Sequence, residues 1–182
     1  MRSSDTEAAR PGAARLSTSL PAALDAPLDE LVSDRVGRLA YYADRSGAGR
    51  PLLLIHSINA APSSYEVKPL FEHWQGRRPV YSVDLPGFGH SQRADRRYTP
   101  ELFAEAIAEL LQRVIGEPAD VLALSLSAEF AARAARMVPE RAASLVLISP
   151  TGFSARPLPP VSYTHLTLPT TIELGGSRGG AA

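Results

Sequence analysis

The sequence contains no cysteine, which excludes disulfides, thiolate nucleophiles and cysteine-held zinc. It holds one lysine, Lys68, and the other basic side chains are arginines. No charge of either sign is in excess: 19 Lys+Arg stand against 19 Asp+Glu. Such a balance gives no electrostatic footprint for nucleic acid and no polybasic patch for a membrane surface. Nowhere does an apolar run reach the roughly 18 residues of a membrane span. The N-terminal stretch lacks the continuous apolar core of a secretory signal. A cytoplasmic soluble protein is therefore expected.

What is present is globular in character. Hydrophobic residues make up 45% and charged residues 21% of 182, enough for one domain with a real core. Residues 1–35 are rich in Ala, Pro, Ser and Arg without clean periodicity, and read as a flexible tail or short helical lead-in. Apolar patterning then predicts strands at 38–44, 51–56, 79–84, 119–124 and 142–149. Helices are predicted at 63–74, 99–116 and 127–138. The helix at 99–116 has the clearest signals: Thr99 as N-cap, Pro100 in the first turn and Gly116 as stop. Its apolar stripe is Phe103, Ile107, Leu110 and Val114. Ser63 or Ser64 is placed to cap the helix at 63–74. Strands alternating with helices predict an α/β fold, a mostly parallel sheet covered on both faces. Function in such sheets gathers beyond the carboxyl ends of the strands.

Four places follow those ends. Ser125, in "VLALSLSAEF", stands where a strand turns into a helix, with small residues two places before (Ala123) and after (Ser127). A sharp turn of that kind projects a serine Oγ and aims helix N–H groups at it. The residues alone leave two readings: a nucleophile, or a serine capping the helix, with Ser127 as another candidate cap. "DLPGFGHS" suggests a tight loop through Gly87 and Gly89. Gln92 takes the place of the third glycine of a dinucleotide loop, so phosphate binding is not expected. Asp84 is expected to bind backbone N–H groups of that turn. His56 is expected to brace its loop, His73 to lie on a helix surface, and His90 to sit on a loop facing the site.

Taken together, "LLLIHSINAAPSSYEVKPLFEHW", "PVYSVDLPGFGHS", the serine turn and "VPERAASLVLISPTGF" resemble the α/β-hydrolase superfamily, in its esterase and lipase-like branch. The resemblance covers about residues 36–155. It implies that Ser125 is the catalytic nucleophile and that the backbone N–H groups of Ile58 and Leu126 form an oxyanion hole. His56, Ser57, Asn59 and His90 would line the site. Ser57 stands where the family has glycine, and either narrows the hole or adds a hydroxyl donor. Alanine and serine likewise replace both elbow glycines. The implied partner is a small acyl substrate, with no metal or cofactor; oligomeric state is not readable. A non-catalytic ligand-binding or scaffold protein on the same fold is the alternative.

The family places an acid and then a histidine after its serine, and only His165 follows Ser125 here. His165 lies in "VSYTHLTLPT", residues 161–170. The DNA GTC TCT TAT ACA CAT CTG ACG CTG CCG ACG encodes that string and resembles a sequencing-library adapter. Residues 161–182 are accordingly expected to be a non-native tail on a hydrolase domain, 36–160, cut short of its lid, last strands, triad acid and histidine. The fragment is expected to be inactive.

Overall fold

The computed structural model describes residues 20–60 and 62–152. The stretch at 161–182, with His165, lies outside them. Six strands form one sheet in the order β1-β2-β4-β3-β5-β6. They are β1 (Leu28–Ser33), β2 (Gly37–Asp44), β3 (Leu52–Ile55), β4 (Val80–Val83), β5 (Ala119–Leu124) and β6 (Ala142–Ile148). The helices are α1 (Lys68–Trp74), entered through a 3-10 turn at Ser64–Val67, α2 (Pro100–Leu110) and α3 (Ser127–Met137).

The central strand β3 reads LLLI, and all four side chains are buried. Alternation sends them to opposite faces. Leu53 and Ile55 join the core under α2 and α3, with Phe103, Ile107, Leu110 and Phe130. Leu52 and Leu54 join a second core with Val67 and Phe71 at the α1 side. A strand buried on both faces has to be apolar throughout, which is why its run is continuous. Phe71 is fully buried, worth roughly 1.5–3 kcal/mol to the α1 face.

Helix α2 begins as its sequence requires. Thr99 Oγ1 accepts the Leu102 N–H at 3.3 Å, and Pro100 follows in the first turn. Its end is wider than a regular helix. Residues Leu111–Ile115 form a π turn, and the Gly116 N–H donates to the Leu111 carbonyl at 3.0 Å, five residues back. Gly116 has φ 74, the left-handed conformation glycine adopts without strain.

One expectation needs correction. The lead-in at 1–35 contains a strand, β1, paired antiparallel with β2. Residues 28–33 show no clean alternation in sequence. As an edge strand, β1 keeps Asp29 and Glu30 toward solvent, where Arg45 and Arg38 pair with them at 2.9 and 2.5 Å. The sheet is mostly parallel, as expected. β1–β2 and β2–β4 are antiparallel, and β4–β3, β3–β5 and β5–β6 are parallel. Residues 34–36 join β1 to β2, too short a link for a crossover, so the pair is a hairpin. At the other edge, β6 exposes Leu145, Val146 and Ile148, and among the described residues no strand pairs beyond it. No helix among the described residues is long and apolar enough to cross a membrane.

Candidate active site

Parallel pairing of β3 with β5 puts Ile55 opposite Ala123. The segments that follow, from His56 and from Ser125, therefore leave the same edge of the sheet side by side. One bond fastens them together: Ser127 Oγ donates to the His56 carbonyl at 2.6 Å, and both residues are fully buried. Ser127 is thus not the helix cap. Position Leu126 takes that place and has no side-chain cap bond. We expect Ser127→Ala to cost about 1–2 kcal/mol in chemical denaturation, because it leaves a buried carbonyl unpaired. A loss below about 0.3 kcal/mol would show the bond to be unimportant.

Ser125 has φ 51, in the left-handed region that non-glycine residues avoid. Its backbone is held on both sides: its N–H donates to the Ile148 carbonyl at 2.9 Å, and its carbonyl accepts from Ala128 N–H at 3.1 Å and Thr151 N–H at 3.3 Å. The side chain caps nothing; among the described residues its Oγ has no hydrogen-bond partner. The capping alternative therefore falls. Strain of this kind persists where the surroundings over-determine it, and it clusters at functional sites. Among the described residues the N–H groups of Ile58 and Leu126 likewise have no acceptor. Two unfilled donors and a bare hydroxyl thus border the same sheet edge.

His56 braces the site as expected, but through the next strand. The Leu85 N–H donates to Nε2 at 3.0 Å, so the ring hydrogen sits on Nδ1, 2.6 Å from the Ser57 carbonyl. Both ring nitrogens are committed. Phe88 packs edge-on against the ring at 5.7 Å and passes the contact to Phe103 and then Phe130. Burial pushes the His56 pKa below its ordinary 6.5, against the Ser57 carbonyl and the charges of Asp84 and Glu66. The unfolded chain then takes up the proton first as pH falls. No stability is lost above about pH 6.5, and it declines below that through the depressed folded value. In thermal melts from about pH 7.5 down to 5.5, the midpoint should fall, and His56→Gln should be less stable throughout but decline less. Parallel declines would contradict this.

Ser57 does not add a donor to the site. Its Oγ donates to Glu66 Oε1 at 3.0 Å, its N–H to Glu66 Oε2 at 2.7 Å, and Asn59 Nδ2 donates to its Oγ at 2.8 Å. Asn59 Nδ2 also reaches Glu66 Oε1. Glu66 was invisible in the sequence because it sits nine residues downstream and reads as a helix-surface acid. Asp84 binds the loop as expected: Oδ2 accepts the His90 N–H and Oδ1 the Ser64 N–H, both at 2.8 Å. The cap before the 3-10 turn is Ser63, which accepts from Tyr65 N–H at 3.3 Å.

His90 is held by the segment before β1. Its Nε2 lies 3.1 Å from the Pro21 carbonyl, and its ring meets Tyr42 edge-on at 6.4 Å. It lines a cavity of about 500 Å³ with Pro21, Tyr65, Phe88 and Arg93, whose walls include none of Ser125, Ile58 and Leu126. His73 is exposed on α1, its ring against Trp74.

Known proteins are similar to this chain. A family model described as the alpha/beta hydrolase fold matches residues 50–170. An esterase of Mycobacterium tuberculosis is 31% identical over 144 residues, which cover 68% of this chain and 48% of that protein. A 2-(acetamidomethylene)succinate hydrolase of Mesorhizobium japonicum is 29% identical over 128 residues, 69% of this chain and 45% of that protein. The crystal structure of a probable hydrolytic enzyme from Pseudomonas aeruginosa superposes with a TM-score of 0.63 at 25% identity, over 72% of this chain and 44% of that one. This chain thus spans less than half the length of each. The match runs through β3, the strained serine turn and β6 alike, so the chain belongs to the α/β-hydrolase fold family.

Proposed function

We propose that the full-length protein carrying this chain is a serine hydrolase of an ester or related acyl bond, with Ser125 as its nucleophile. The observation that carries the reading is Ser125 itself: φ 51, at the carboxyl edge of the sheet, its Oγ without a partner. Ser125 Oγ attacks the acyl carbon while a base removes its proton. The carbonyl oxygen becomes the oxyanion and takes the N–H groups of Ile58 and Leu126. Collapse expels the alcohol, which receives the proton from the protonated base, and water then releases the acid by the same steps reversed.

The base is a histidine outside the described residues. His56 has both nitrogens bound, His73 is exposed on α1, and His90 Nε2 meets the Pro21 carbonyl. With residues 161–182 read as a non-native tail, the 182-residue chain alone has no turnover. The substrate is a small acyl compound, in keeping with the relatives named esterase and hydrolase.

Stopped-flow hydrolysis of a p-nitrophenyl acyl ester by the full-length protein tests the reaction class. A burst of nitrophenolate equal to the enzyme concentration, followed by a slower steady rate, is expected of an acyl-enzyme. Folded protein with neither burst nor turnover across acyl lengths would favour the ligand-binding alternative.

A further inference from the structure

We propose that Glu66 is the positioning residue of the oxyanion loop: its carboxylate gathers the polar groups on both sides of Ile58 and so fixes the Ile58 N–H where the oxyanion forms. This inference rests on the function proposed above. Three donors converge on one side chain. Ser57 N–H and Ser57 Oγ come from the residue before Ile58, and Asn59 Nδ2 comes from the residue after it. The N–H between them is the one left without an acceptor among the described residues.

The carboxylate has a firm mounting. Glu66 lies on the 3-10 turn Ser64–Val67, whose Val67 is fully buried and whose Ser64 N–H is held by Asp84 at 2.8 Å. Ser57 is not in the left-handed region, so the chain there does not need the glycine its family carries. The serine instead supplies the hydroxyl that ties the loop to Glu66. A bare negative charge beside the hole would oppose the oxyanion. Charge-assisted bonds from all three donors spread it, and they also aim the loop. Burial works against ionisation of Glu66, yet the Ser57 and Asn59 bonds, with His56 nearby, outweigh it and hold its carboxyl below the usual range.

An interaction made only in the transition state appears in kcat and not in KM. The test uses the full-length protein with Glu66→Gln, Glu66→Ala and Asn59→Ala, beside Ser125→Ala. Losing an oxyanion donor outright costs about 10²–10³ in kcat, so displacing one should cost Glu66→Gln and Glu66→Ala about 10- to 100-fold, with KM changed less than about threefold. Affinity for a trifluoromethyl ketone, which forms a tetrahedral adduct, should weaken by the same factor. Asn59→Ala, which leaves the 3-10 turn untouched, should lower kcat by about two- to fivefold, and so reports on the loop if the Glu66 variants fold poorly. Wild-type kcat in all three loop variants, with Ser125→Ala dead, would overturn the role of Glu66 and leave the nucleophile standing. So would a fall in activity that only tracks the unfolded fraction in a melt. Turnover surviving in Ser125→Ala would overturn the function itself, and this inference with it.

Discussion

Replacing Ser125 by alanine is expected to lower kcat of the full-length protein by about 10⁶-fold, the scale seen when a triad serine is removed. KM and the melt should barely move, because the Oγ holds nothing in the fold. Ser125→Gly separates catalysis from strain. It removes the same hydroxyl and is equally dead, but glycine adopts φ 51 without the cost of about 1–2 kcal/mol that other residues carry there. It should therefore melt about 2–4 °C higher per kcal/mol regained. A dead but more stable variant is the signature of strain held for function. Residual turnover in Ser125→Ala above about one part in a hundred would mean that another group attacks.

Asp84→Ala is expected to be the most destabilising single change at the site. Asp84 is fully buried on the turn after β4 and holds two segments at once. Its carboxylate binds the Ser64 N–H at the start of the 3-10 turn and the His90 N–H in the glycine loop, each at 2.8 Å. Gly89 closes over it with φ 47, and a Cβ there would run into the Asp84 carboxylate. Removing the side chain orphans two N–H groups at about 1–3 kcal/mol each, so the loss is about 2–6 kcal/mol. That is a large part of the roughly 5–15 kcal/mol by which domains are stable. Asp84→Asn keeps one acceptor oxygen and should lose about half as much in urea denaturation. A change under about 1 kcal/mol for Asp84→Ala would contradict this assignment.

The parts of the fold legible in sequence were those where local chemistry and burial agree. LLLI can only be a strand buried on both faces, and Thr99-Pro100 can hardly be anything but a helix start. The strand-to-helix turn at Ser125 was legible for the same reason, although its glycines are replaced. What escaped depends on contacts between distant residues. β1 lacks clean periodicity and becomes a strand because the hairpin at 34–36 pairs it with β2. Ser127 looks like a cap, and its hydroxyl is instead drawn to the His56 carbonyl, 71 residues away. The sequence shows Glu66 nine residues from Ser57, but not that a 3-10 turn brings its carboxylate back to the loop. The sequence also does not show that His90 Nε2 meets the Pro21 carbonyl, 69 residues away.

The central claim is that Ser125 is an activated nucleophile. It is tested most directly by treating the full-length protein with a fluorophosphonate and mapping the adduct by tandem mass spectrometry. The account predicts one phosphonyl group per chain, on Ser125, formed at neutral pH and abolished by prior denaturation. An adduct on another residue, or none on folded protein, would contradict it.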